Sequence, residues 1–158
     1  MSSKITVIGA GNVGATIAYT LANDDIASEI VMIDINKDKV EGEVMDIIQG
    51  TSFRDPISIV AGEYQDAKDS DIVIITSGIG RKPGQSRLDL AQTNVNIMKS
   101  IAPQIAAAAP NALYIIVSNP VDVMTYVFMK VSGIPENQII GSGTVLDSAR
   151  LRCGISEH

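Results

Sequence analysis

The sequence predicts an α/β fold: a doubly wound parallel sheet of six strands with helices on both faces. Three observations predict it. Short β-branched and apolar runs recur at residues 5–8, 30–33, 57–60, 72–75, 113–117 and 138–140. Several lack the polar alternation of a half-exposed strand, as a strand buried on both faces should. Between them, residues 12–23, 37–49, 88–109 and 121–131 carry apolar side chains at three- and four-residue spacing, the period of an amphipathic helix. Strands alternating with helices build a parallel sheet, whose ligands bind beyond the carboxyl ends of the strands.

The 158 residues, 46% hydrophobic and 19% charged, suit one domain with a real apolar core. The 12 Lys and Arg against 18 Asp and Glu give a net charge of −6, whereas a dedicated nucleic-acid binder usually carries a basic face. A single cysteine, Cys153, cannot form an internal disulfide, and metal-ligand spacings are absent. Purely apolar stretches of about five residues fall far short of the roughly 20 that cross a bilayer. The apolar run after the polar leader is too short for an export signal. A cytoplasmic setting without nucleic-acid or membrane partners is expected.

The first strand runs into Gly9-Ala10-Gly11-Asn12-Val13-Gly14, within which the first helix opens. This is G-x-G-x-x-G spacing in a strand–turn–helix setting. Gly9 permits a tight turn, Gly11 lets a pyrophosphate approach the backbone, and Gly14 lets the helix pack on the strand. Helix amides and the positive end of the dipole then face the phosphates. The second strand ends at Asp34, 20 residues beyond Gly14. A carboxylate there can accept from both hydroxyls of an adenosine ribose and would repel a 2′-phosphate, favouring NAD over NADP. A strand-end Asp that starts a turn is the plainer alternative.

After the fourth strand comes 78–86 (GIGRKPGQS), a glycine-rich loop where Arg81, Lys82 and the adjoining Arg87 stand against the chain's negative charge. No Gly-Lys-Ser/Thr follows, so it is not a Walker phosphate loop. A mobile cationic loop over a nucleotide site suits an anionic substrate; a solvated surface cluster is the equal alternative. The helix 88–109 stops before Pro110. The fifth strand ends in Ser118-Asn119-Pro120, on the rim where ligands bind. Asn119 offers a donor and an acceptor there, although a plain turn fits as well. After the last strand, 141–144 (GSGT) leads into a final helix. In it Asp147 and Arg150 share a face, and an Arg can grip a carboxylate through two hydrogen bonds. Spacing alone favours a Thr144–Asp147 capping box with an Asp147–Arg150 pair.

Together GAGNVG, VMIDI, DIIQGTSF, RKPGQSRLDL, IIVSNPVD and GSGTVLDSARLR resemble the lactate/malate dehydrogenase family over the whole chain. The resemblance implies a Rossmann dinucleotide-binding fold over 1–143, with 144–158 as the first helix of a second, α+β domain. It implies an NAD-dependent oxidoreductase moving hydride between nicotinamide C4 and the hydroxyl-bearing carbon of a small L-2-hydroxy acid. Gly9, Gly11, Asn12, Val13, Gly14 and Asp34 would hold NAD, and Thr76, Ser77 and Gly78 would line its path. Arg87 would polarise the substrate carbonyl as the loop closes, and Arg150 would take the substrate carboxylate. Asn119 would contact the reacting oxygen and the nicotinamide region. Asp147 would orient a catalytic histidine and stabilise its protonated form. In the family that histidine sits in a Gly-Glu-His-Gly-Asp motif, which this sequence does not contain. The lone His158 follows Asp147 by only 11 residues, and no catalytic role is expected of it. The chain is expected to be the N-terminal half of such an enzyme, holding NAD but turning over no substrate.

Arg81 stands at the family's specificity position, where Gln accompanies lactate and Arg the second carboxylate of malate or oxaloacetate. Burying Arg81 over a methyl group would leave a costly unpaired charge, which favours malate. The surrounding GQSRLDL, DIIQGTSF and GSGTVLDSARLR resemble lactate enzymes more. A lactate-specific, glycolytic member is the leading expectation and a malate-specific member the alternative. Arg152 matches a position that binds fructose 1,6-bisphosphate in some bacterial lactate enzymes, with a structural salt bridge the better expectation. The family's homotetramer or dimer would bury the helix 37–49 against a neighbour. A stand-alone NAD-binding module without chemistry is the alternative of another class.

Overall fold

A computed structural model describes residues 3–50, 56–80, 84 and 86–156, with Arg87 described by its backbone only. Strands β1 (Lys4–Ile8), β2 (Glu29–Ile33), β3 (Ser58–Ala61), β4 (Ile72–Ile75), β5 (Leu113–Ile116) and β6 (Ile139–Gly141) form one sheet. Its order is β3-β2-β1-β4-β5-β6, and every neighbouring pair is parallel. Helices α1 (Asn12–Asn23), α2 (Lys37–Gly50), α3 (Arg87–Ala108) and α4 (Val121–Ser132) connect the strands, and α5 (Gly143–Ser156) follows β6. This is the Rossmann order. It reverses between β1 and β4, and a ligand crevice opens beyond their carboxyl ends.

β2 shows why the apolar runs lack alternation. Ile30 and Met32 pack with Ala18, Val40 and Val44 of α1 and α2. Val31 and Ile33 pack on the other face with Met98, Ile101 and Ile105 of α3. Both faces are dry, so both parities of the strand are apolar, and each such side chain contributes roughly 1.5–3 kcal/mol on burial. The edge strand β3 buries only Ile59. α1 buries Gly14, Ala18 and Ala22 at four-residue intervals, small residues that bring it close to the sheet. On the opposite face the Tyr114 hydroxyl lies 2.8 Å from the Ala109 carbonyl and 3.1 Å from that of Ile105, satisfying the end of α3. Burial pushes this phenol up to about 12, so it remains a neutral donor.

Several boundaries differ from those the periodicity predicts, each for a local reason. α3 starts at Arg87 because Ser86 caps it: the Asp89 N–H donates to Ser86 Oγ at 3.1 Å, and Asp89 Oδ2 accepts from the Ser86 N–H at 3.3 Å. The box expected at Thr144–Asp147 does not form. α5 begins at Gly143, which puts Thr144 inside the first turn rather than ahead of it. α5 has 14 residues and buries none of them. A short 3₁₀ turn, Tyr64–Ala67, precedes β4, and another, Glu136–Gln138, takes Gln138 out of the last strand. Among the described residues no helix is long and apolar enough to cross a membrane, and no group of three or more His, Cys, Asp or Glu could hold a metal ion.

Candidate functional site

β1 delivers the chain into the glycine turn. The Gly9 N–H donates to the Ile33 carbonyl at 2.7 Å, so the turn stays tied to the neighbouring strand. Its φ of +105° suits glycine alone, and a Cβ there would lie 2.7 Å from Thr76 Oγ1. At Gly14 a Cβ would lie 1.8 Å from the Gly9 carbonyl oxygen. α1 therefore rests directly on the turn. Gly11 is different, because no protein atom lies within 4 Å of a Cβ placed there. It is also the N-cap of α1, it provides no side-chain cap, and the first turn holds no acidic residue. The amides of Asn12 and Val13 thus have no partner within the helix, and the positive end of the dipole is unopposed. Such an end binds an anion.

Asp34 closes the other side. Its Oδ2 accepts from the Ala10 N–H at 2.6 Å and its Oδ1 from the Asn36 N–H at 2.9 Å. The carboxylate is held against the glycine turn with lone pairs to spare. A cleft of about 580 Å³ runs past Gly9, Gly11 and Asp34 to Thr76, Ser77 and Gly78, along the carboxyl ends of β1, β2 and β4. Its apolar wall includes Ile97 and Ile101 of α3 and Ile35, the last 97% exposed. Tyr64 also faces the cleft. Burial, then the charges of Asp34 and Glu63, raise its phenol above the usual range, leaving a neutral donor. A larger hollow of about 700 Å³, beside Lys68, Asp69, Asp71 and Asn111, lies at the amino ends of the strands. No glycine turn faces it.

The cleft thus gathers six of the residues expected to hold a cofactor, with Asn12, Val13 and Gly14 opening α1 beside them. Thr76 lines the cleft and also ties the glycine turn to β4, its Oγ1 lying 3.1 Å from the carbonyls of Ile8 and Gly9. Ser118 Oγ donates to the Ser77 carbonyl at 2.6 Å. Asn119 is exposed at the end of β5, and its side chain makes no hydrogen bond among the described residues. Sequence reasoning missed Asn94, which is 3% exposed. Its carboxamide accepts from the Ile79 N–H at 2.9 Å and donates to the Asn119 carbonyl at 2.8 Å, tying the turns after β4 and β5 together. Its polar type amid the apolar stripe of α3 was the available signal.

Other expected site residues are not brought to the cleft. Asp147 and Arg150 pair with each other on α5 at 3.2 Å, 76% and 68% exposed. Arg152 is exposed and makes no ion pair among the described residues. Arg81 and His158, like the side chain of Arg87, lie outside the described residues.

An uncapped helix start, a glycine with open space beside it and a fixed carboxylate across the same cleft fit a dinucleotide: pyrophosphate on the first two, ribose on the third. This defines a nucleotide-binding Rossmann domain. Residues 3–141 match the family described as lactate/malate dehydrogenase, NAD binding domain, and the chain belongs to that family. The L-lactate dehydrogenase of Clostridium perfringens (strain SM101 / Type A) is 52% identical over 157 residues, which are 99% of this chain and 50% of that protein. Among solved structures, MGS-M5, a lactate dehydrogenase from a Medee basin deep-sea metagenome library, aligns with a TM-score of 0.93 at 43% identity, covering 99% of this chain and 50% of that one. The malate dehydrogenase of Picrophilus torridus aligns with a TM-score of 0.81 at 39% identity, covering 88% and 45%. The chain spans about half the length of the curated relatives it matches.

Proposed function

We propose that this chain is the NAD-holding part of an L-lactate dehydrogenase. The observation that carries the cofactor half of this reading is the uncapped start of α1 facing Asp34 across one cleft. The similarity to L-lactate dehydrogenases supports the substrate half. When bound, NAD supplies the hydride acceptor at nicotinamide C4. The first amides of α1 hold the pyrophosphate, and Asp34 accepts from the ribose hydroxyls and turns away a 2′-phosphate. Asn119, exposed on the rim after β5, would orient the reacting oxygen of the substrate. Arg87 polarises the substrate carbonyl, Arg150 binds the substrate carboxylate, and Asp147 orients the proton-carrying histidine, a residue type absent among the described residues. The last two roles require the Asp147–Arg150 pair to open. An exposed pair is worth only about 0–1 kcal/mol, so a carboxylate held bidentately can displace it.

The same reading assigns a glycolytic, cytoplasmic role and a homotetramer or dimer with α2 at a subunit boundary. It also leaves exposed Arg152 available to an anionic effector such as fructose 1,6-bisphosphate. A second reading, malate dehydrogenase, draws on Arg81 and on the likeness to the Picrophilus torridus enzyme. Steady-state rates with pyruvate and oxaloacetate, measured on the whole enzyme carrying this sequence, separate the two. Pyruvate is expected to be preferred, and a preference of about a hundredfold for oxaloacetate would reverse the assignment.

A further inference from the structure

The turn after β3 places a second carboxylate beside the adenosine end of the cleft, and the backbone leaves it little freedom. A Cβ at Gly62 would lie 2.8 Å from Val31 Cγ1 and 3.0 Å from Asp66 Oδ2, so the chain leaves β3 pressed against β2. The next residue, Glu63, is held from both sides. Its N–H donates to Asp66 Oδ2 at 2.8 Å, and its backbone carbonyl accepts from the Asp66 N–H at 3.0 Å. Its carboxylate also pairs with Lys37 Nζ. Lys37 is the first residue of α2, three positions after Asp34. Glu63, Lys37, Asp34 and Lys39 all line the one cleft, together with Tyr64, whose phenol feels the charges of both carboxylates.

A 2′-phosphate on the adenosine ribose would need a cation where NAD needs only the acceptor oxygens of Asp34. Lys37 is the cation nearest to Asp34 in sequence, yet its charge is already matched. We propose that Glu63 is a second determinant of cofactor choice, pairing with Lys37 so that a 2′-phosphorylated dinucleotide meets two carboxylates and finds the lysine nearest Asp34 in sequence already engaged. The inference rests on the cleft being the NAD site, and it makes selectivity a property of three residues on three elements rather than of Asp34 alone.

The test is titration of this chain with NAD and with NADP at low ionic strength, because exposed charges are screened by salt. Glu63→Gln leaves the backbone bond to the Asp66 N–H in place while removing the charge, and so releases Lys37. The NADP:NAD affinity ratio is expected to rise about tenfold, the scale of a one-charge change facing a dianion. In the double variant Glu63→Gln/Lys37→Gln the ratio is expected to return to within about twofold of the unmodified chain. A ratio unmoved by Glu63→Gln overturns the inference, as does a gain that survives the loss of Lys37. In either case NAD binding by the unmodified chain leaves the cofactor site itself standing. Absence of NAD binding overturns both.

Discussion

Replacing Gly14 with alanine is expected to cost the fold, and replacing Gly11 with alanine to cost the ligand. The two glycines belong to one motif but meet opposite surroundings. A methyl group at Gly14 would lie 1.8 Å from the Gly9 carbonyl oxygen and 2.8 Å from Thr76 Oγ1. The first of these is backbone, so relief requires α1 to lift from the turn. α1 packs through Ala18 and Ala22 in the same row, and lifting it opens the core on that face. Overpacking of this kind costs about 1–3 kcal/mol and sometimes more; contact with a backbone atom belongs at the upper end. At Gly11 the added methyl group meets nothing. The φ there is −74°, which alanine accepts, and the change of N-cap costs about 1 kcal/mol or less. That methyl group occupies the approach of a pyrophosphate to the helix amides. Denaturant unfolding and NAD titration on both variants check the contrast. Gly14→Ala should shift the unfolding midpoint strongly. Gly11→Ala should keep the midpoint close to that of the unmodified chain and lose most of the NAD affinity.

The second large effect is at Asp34. Its carboxylate accepts two backbone N–H groups, at 2.6 and 2.9 Å, and hydrogen bonds to a charged group contribute about 1.5–3 kcal/mol each. Alanine would therefore confound stability with recognition, and Asp34→Asn is the cleaner substitution. The amide keeps one acceptor oxygen, and its NH₂ faces an amide donor, so NAD binding should weaken by roughly tenfold, the equivalent of one hydrogen bond. Discrimination against NADP should fall further. Two negative charges of phosphate about 4 Å from a carboxylate cost about 2 kcal/mol even at the dielectric constant of water, equivalent to about thirtyfold in affinity. Parallel titrations with the two cofactors measure this. Unchanged selectivity in Asp34→Asn would remove Asp34 from the cofactor site.

Parts of this site are legible in the sequence because local chemistry determines them. The run 30–33 is apolar throughout because both faces of β2 are covered, and the glycine spacing reflects contacts within a few residues of chain. Asp34 is readable as the residue at which that strand stops. The remaining features depend on contacts distant in sequence. Lys37 meets Glu63 across 26 positions, and Asn94 meets Asn119 across 25; neither spacing has a local signature. The turn Tyr64–Ala67 is too short for any periodicity, and its capping residues, Glu63 and Asp66, resemble ordinary surface acids in sequence. Thr76 reads as a cleft residue because it follows β4 on that side, whereas its hydroxyl's bond to the Gly9 carbonyl, 67 positions away, has no local signature. At Thr144 a displacement of two residues in the start of α5 is enough to turn a plausible cap into a first-turn residue.

The central claim is that the uncapped start of α1 and the carboxylate of Asp34 together make a selective NAD site within this chain. Calorimetric titration of the 158-residue chain with NAD and then NADP tests it directly. One saturable site for NAD, with NADP weaker by at least about tenfold, is the expected result. Equal affinity for the two cofactors, or no binding of NAD, would contradict it.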